Sequence, residues 1–209
     1  MAVSAEAGRA RQASSPAAAA SEPSSVAIIV DNSTSMRDPA AAKHLGESLR
    51  RLVESGDARN EYFVFGVSTL VNVESGGRTD GLDAEGAAKA LRRVLSARRE
   101  GATALWDACV LAATKLASAK HTRRVLLVVS DGGDTLSTAT PAETLNLLKL
   151  LRVRLSAVVT KPDKEPLIDR RAVNTLKRMA AESGGAFFEP AKGAEKDAVF
   201  ESVRALVYP

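Results

Sequence analysis

The sequence predicts an α/β fold: a three-layer, Rossmann-like domain with a central, mostly parallel sheet, one antiparallel edge strand and helices on both faces. Three observations carry this. Short continuous apolar runs, such as Val26-Ala27-Ile28-Ile29-Val30, recur along the chain and have the unalternating pattern of strands buried on both faces. Between them lie longer segments with apolar residues at three- and four-residue spacing, the period of an amphipathic helix. The two kinds of segment alternate, which calls for right-handed crossovers and a helix layer on each side of the sheet.

Residues 1–25 stand outside this pattern. They hold nine Ala, six Ser and two Pro, with Val3 the only β-branched aliphatic residue, too little apolar surface to offset the entropy of ordering. A tail or linker is expected there, and the folded domain is expected over 26–208. Arg9 and Arg11 are followed by Gln12, two serines, a proline and an alanine run, which is too weakly apolar for a secretory leader. No run reaches the ~18 apolar residues of a membrane span. The default expectation is a cytoplasmic protein, or an exported one if the chain is a piece of something longer.

The first strand, Val26 to Val30, ends at Asp31. A helix follows from Ala40 to Glu54. Glu61 to Phe65 and Leu70 to Val73 read as two strands joined by a turn around Gly66 to Ser68, a hairpin that supplies the antiparallel edge. Helices are expected over Ala84 to Ser96 and Ala104 to Ala119. Val125 to Val129 is the next buried strand and ends at Ser130-Asp131. A helix from Pro141 to Leu151 leads to the strand Leu155 to Val159, a helix from Ile168 to Ser183 to a short last strand, Gly185 to Phe188, and a final helix spans Ala194 to Val207.

Composition narrows the chemistry. The 209 residues are 45% hydrophobic with a net charge of +4, ordinary for a globular domain. Aromatic residues are 4%, which argues against a base-stacking groove. One cysteine, Cys109, and two histidines, His44 and His121, rule out disulfides within the chain and Cys/His zinc clusters. Cys109 sits in an apolar helical run and reads as a packing thiol. The basic groups Arg92, Arg93, Arg98 and Arg99, and Lys120, Arg123 and Arg124, read as solvated faces, since acidic residues are nearly as numerous and no nucleic-acid motif accompanies them.

In a parallel sheet, ligands gather beyond the carboxyl ends of the strands. Asp31-Asn32-Ser33-Thr34-Ser35 leaves the first strand with three oxygen-bearing side chains in alternation. Ser130-Asp131-Gly132-Gly133 leaves another at the same edge, and Gly101-Ala102-Thr103 presents a hydroxyl at a helix start. Two carboxylates and three hydroxyls suit a hard divalent ion.

These residues resemble the von Willebrand factor type A domain family over about Val26 to Tyr208. The family's D-x-S-x-S pattern is Asp31, Ser33 and Ser35; its separate threonine is Thr103 and its second aspartate Asp131. Asp131-Gly132-Gly133-Asp134-Thr135 and Ser183-Gly184-Gly185-Ala186-Phe187-Phe188 are similar to a bacterial subgroup. The resemblance implies a metal-ion-dependent adhesion site in which Ser33 and Ser35 bind the ion directly, Thr103 binds directly or through water, and Asp31 and Asp131 anchor waters. It implies Mg²⁺, or Mn²⁺ or Ca²⁺, and a protein partner that offers a Glu or Asp carboxylate to the ion. Asp107 and Asp134 are candidates for a supporting role behind the ligands, against the plainer reading of a solvated aspartate and a loop acid. Ser35 and Asp38 also suit the cap of the following helix.

Enzymatic alternatives fit less well. A haloacid-dehalogenase-type phosphotransferase wants a second Asp where Ser33 stands. A receiver domain would explain Lys161-Pro162 but wants an acidic pair where Asp31-Asn32 stands. There is no G-x-G-x-x-G after the first strand and no G-x-S-x-G elbow. The expectation is a binding module without catalysis, with no nucleic-acid partner; the alternative is a structural or regulatory module.

Overall fold

A computed structural model describes residues 22–36, 39–74, 80–160, 170–190 and 196–208. Within these, six strands form one sheet in the order β3-β2-β1-β4-β5-β6. The strands are β1 (Ser24–Asp31), β2 (Glu61–Val67), β3 (Val71–Val73), β4 (Arg123–Ser130), β5 (Val153–Val159) and β6 (Phe187–Phe188). All neighbours run parallel except β2 and β3, so the expected mixed sheet with one antiparallel edge is present. The helices are α1 (Pro39–Glu54), α2 (Ala84–Ser96), α3 (Leu105–Ala117), α4 (Pro141–Leu150), α5 (Arg170–Glu182) and α6 (Lys196–Val207).

Every residue of β1 is buried, and alternate side chains serve opposite faces. Ala27 and Ile29 pack with Phe63, Leu126 and Val128 against α3, α4 and α5. Val26, Ile28 and Val30 pack with Val64, Val125 and Leu127 against α1, α2 and α6. Cys109 is buried in the first of these layers as a packing residue.

Several boundaries move, each for a physical reason. The first strand starts at Ser24 rather than Val26, because the Ser24 amide donates to Asn60 Oδ1 (2.7 Å) and Ser25 Oγ donates to Glu61 Oε1 (2.6 Å). These two serines are buried strand residues, so they do not belong to a 1–25 tail; residues 1–21 lie outside the described residues. Gly66 is a ladder residue paired with Val30 and Asn72. The hairpin turn is therefore Ser68 to Leu70, closed by the Ser68 amide on the Leu70 carbonyl (3.1 Å), and Leu70 is outside the strand. Asp38, Lys161 and Pro162 lie outside the described residues.

Arg123 and Arg124 are only partly solvated. Both are half-buried: Arg124 donates to the carbonyls of Ala117 (2.9 Å) and Leu151 (3.1 Å), and Arg123 to that of Val207 (3.3 Å). They satisfy carbonyls at the carboxyl ends of α3, α4 and α6, where a cation is favoured.

Candidate metal centre

The register of β1, β2 and β4 brings Asp31, Val67 and Ser130 to the same edge of the sheet. Asp31 continues the Ala27, Ile29 side of β1, which faces α3, and Ser130 continues the Leu126, Val128 side of β4. The two meet: Ser130 Oγ donates to Asp31 Oδ2 at 2.6 Å, and the Ser33 amide donates to Asp31 Oδ1 at 2.8 Å. Asp31 and Ser33 are buried. Ser33 Oγ and Ser35 Oγ lie 3.1 Å apart, with Ser35 in a single 3-10 turn, Thr34–Met36.

Two further loops close on this one. The Thr34 amide donates to the Gly101 carbonyl (3.2 Å) and the Glu100 amide to the Asn32 carbonyl (3.1 Å), which lays Gly101-Ala102-Thr103 beside the serines. Gly101 has φ +83°, and a β-carbon there would lie 2.2 Å from Thr69 Oγ1, so the position requires glycine. Thr103 is buried; its amide donates to Thr135 Oγ1 (3.1 Å), and its carbonyl accepts from the amides of Thr135 (2.9 Å) and Leu136 (3.0 Å).

Asp131 is half-buried and accepts from the Gly133 amide at 2.9 Å. Between them Gly132 has φ +88°, with the Ala172 backbone only 3.1 Å from where a β-carbon would lie.

The supporting acids have definite partners. Ala104, at the head of α3, makes no side-chain cap. Asp134 Oδ1 substitutes, accepting from the amides of Leu105 (2.7 Å) and Trp106 (3.4 Å) and from Ser137 Oγ (2.5 Å). Ser137 Oγ in turn accepts from the amides of Trp106 (2.9 Å) and Asp107 (3.1 Å). Asp107 points back at the loop and accepts from the amides of Thr138 (3.0 Å) and Ala139 (2.9 Å). Both aspartates thus fasten the loop after Asp131 to the helix after Thr103. Ser130, Thr135 and Ser137 were not singled out by the sequence; Ser130 was visible as the residue ending a buried strand before Asp131.

Burial pushes the Asp31 carboxyl above its ordinary range, the hydrogen bonds from Ser130 and Ser33 lower it, and the nearby Asp131 charge raises it again. Among the described residues no Lys, Arg or His pairs with either aspartate. Nor do three His, Cys, Asp or Glu side chains gather into a metal-binding group. A cation here would therefore rest on two carboxylates and the hydroxyls of Ser33, Ser35 and Thr103. The donor set is all oxygen, and no cation among the described residues pairs with its two carboxylates, which fits a hard divalent ion.

A family model described as the von Willebrand factor type A domain matches residues 26–133, the span that contains all five of these residues. The chain belongs to that family. Several solved structures share this VWA fold. One is a von Willebrand factor type A protein from Catenulispora acidiphila, 18% identical with a TM-score of 0.67 over 90% of this chain and 42% of that one. Another is proximal thread matrix protein 1 from the mussel byssus with a zinc-occupied MIDAS motif, 15% identical with a TM-score of 0.67 over 90% and 46%. A third is the pilus adhesin SpaC from Lactobacillus rhamnosus GG, 13% identical with a TM-score of 0.61 over 88% and 29%. This VWA domain spans less than half the length of each of these proteins, and at such identities the likeness is one of fold. No curated protein sequence matches the chain. VWA domains are, as a family, protein-interaction modules, and no helix among the described residues is long and apolar enough to cross a membrane.

Proposed function

We propose that this VWA domain captures a Glu or Asp of a protein partner through a divalent ion, Mg²⁺ or else Mn²⁺ or Ca²⁺, held by Asp31, Ser33, Ser35, Thr103 and Asp131. The observation that carries the reading is the buried Asp31, paired with no Lys, Arg or His among the described residues, at the point where the loops after β1 and β4 and before α3 are hydrogen-bonded together. Ser33 and Ser35 would be neutral ligands. Two carboxylates and one divalent ion sum to about zero, so the ion keeps enough attraction for an incoming carboxylate. The zinc in the mussel protein's site supports a divalent metal in a fold of this kind.

Catalysis is not part of this reading. Among the described residues no hydrogen bond joins Ser33 or Ser35 to a histidine, and His121 Nε2 lies 2.8 Å from the Arg59 carbonyl, at the end of the sheet where β4 begins.

Calorimetric titration with Mg²⁺ and with Mn²⁺ tests the site. The native protein is expected to bind, and Asp31→Ala to stay folded and lose the binding heat. Equal affinity in the variant would remove Asp31 from the site.

A further inference from the structure

The edge that carries the candidate centre also carries unexplained apolar surface. Among the described residues the exposed large apolar side chains are Leu70, Leu136 and Leu150, at 72%, 49% and 78% exposure. Isolated exposed leucines are unremarkable, but two of these stand on the loops that grip the Thr103 segment. Leu70 closes the β2–β3 turn, whose Ser68 carbonyl accepts from the Ala104 amide (3.0 Å) and whose Thr69 Oγ1 accepts from the Ala102 amide (3.2 Å). Leu136 donates its own amide to the Thr103 carbonyl (3.0 Å). The two loops hold the Thr103 segment through different groups, the first through the Ala102 and Ala104 amides and the second through the Thr103 amide and carbonyl. Leu150 is elsewhere: it ends α4 just before β5 begins, at the opposite edge of the sheet.

We propose that Leu70 and Leu136 form the two sides of an apolar clamp across the metal centre, which selects a partner segment whose acidic residue is flanked by apolar side chains. This rests on the metal-dependent reading above and names the partner's chemistry. The ion accounts for the carboxylate. A small free acid offers the ion a carboxylate alone, whereas a peptide offers apolar side chains beside it. The backbone bonds hold both leucine loops before any partner arrives, so docking costs little ordering, and each exposed Leu gains by losing contact with water. Polar flanking residues would be buried against leucine without a hydrogen-bond partner, which disfavours them.

The test uses the full chain and three synthetic peptides alike except at the centre: Leu-Glu-Leu, Ser-Glu-Ser and Leu-Gln-Leu. Binding is measured with Mg²⁺ and with chelator. The Leu-flanked Glu peptide is expected to bind about tenfold or more tighter than the Ser-flanked one. Leu70→Ser and Leu136→Ser should each remove roughly three- to tenfold of that preference, with Mg²⁺ affinity and Ser-Glu-Ser binding unchanged, and Leu150→Ser should change nothing. A wild-type protein indifferent to the flanks, variants that keep the preference, or no binding of either Glu peptide with Mg²⁺ present would overturn the clamp. Glu-peptide binding that survives chelator, or that Leu-Gln-Leu equals, would overturn the metal-dependent reading itself.

Discussion

Asp31 is a carboxylate at the end of a strand buried on both faces, and the sequence makes it conspicuous because five apolar residues precede it. What the sequence does not display is its company. Ser130 donates to it from β4, 99 residues away, a pairing that exists only because β1 and β4 are neighbours. Cys109 illustrates the opposite case, a residue whose fate is local: its helical run is apolar, it is fully buried, and burial, aided by the Asp134 charge, pushes its thiol well above the usual range. Since the thiolate is the reactive form, Cys109 is expected to resist a thiol reagent at pH 8 in the native protein and to react once urea unfolds the chain. Rapid labelling of the native protein, followed by absorbance, would contradict its place in the core.

Among the elements, α2 and α4 announce their own starts. Asp83 caps α2 by accepting from the Gly86 amide (2.8 Å), and Thr140 with Glu143 forms a capping box at α4 behind Pro141. These are local rules and readable in sequence. Helix α3 is different, because its first amides are satisfied by Asp134 and Ser137 from the loop that follows β4. A loop acid was the plainer reading of Asp134 because capping rules look only at the residues beside a helix. Asp134→Ala is expected to cost about 1–2 kcal/mol in urea unfolding, and Asp134→Ala with Ser137→Ala to cost less than the two single changes added. Additive losses would mean that the two side chains act independently. The same limit explains Arg123 and Arg124: a pair of arginines in sequence reads as solvent-facing, and only the arrival of three helix ends beside β4 turns them inward.

For the whole molecule, a ligand that binds the folded state alone stabilises it by mass action. If the proposed centre holds Mg²⁺, free Mg²⁺ at about a hundred times its dissociation constant should add roughly 2.7 kcal/mol to unfolding stability. A thermal melt should then shift upward with Mg²⁺ in the native protein and remain unmoved in Asp31→Ala. An equal shift in both would place the ion elsewhere. The outermost strands of the sheet are also its shortest, β3 with three residues and β6 with two. Extended chains recruit one another through long unpaired ladders of amides and carbonyls, and these two margins offer almost none. Among the described residues, β3 and β6 themselves therefore give another chain's strand little to pair with, whether in a fibril or in a complex.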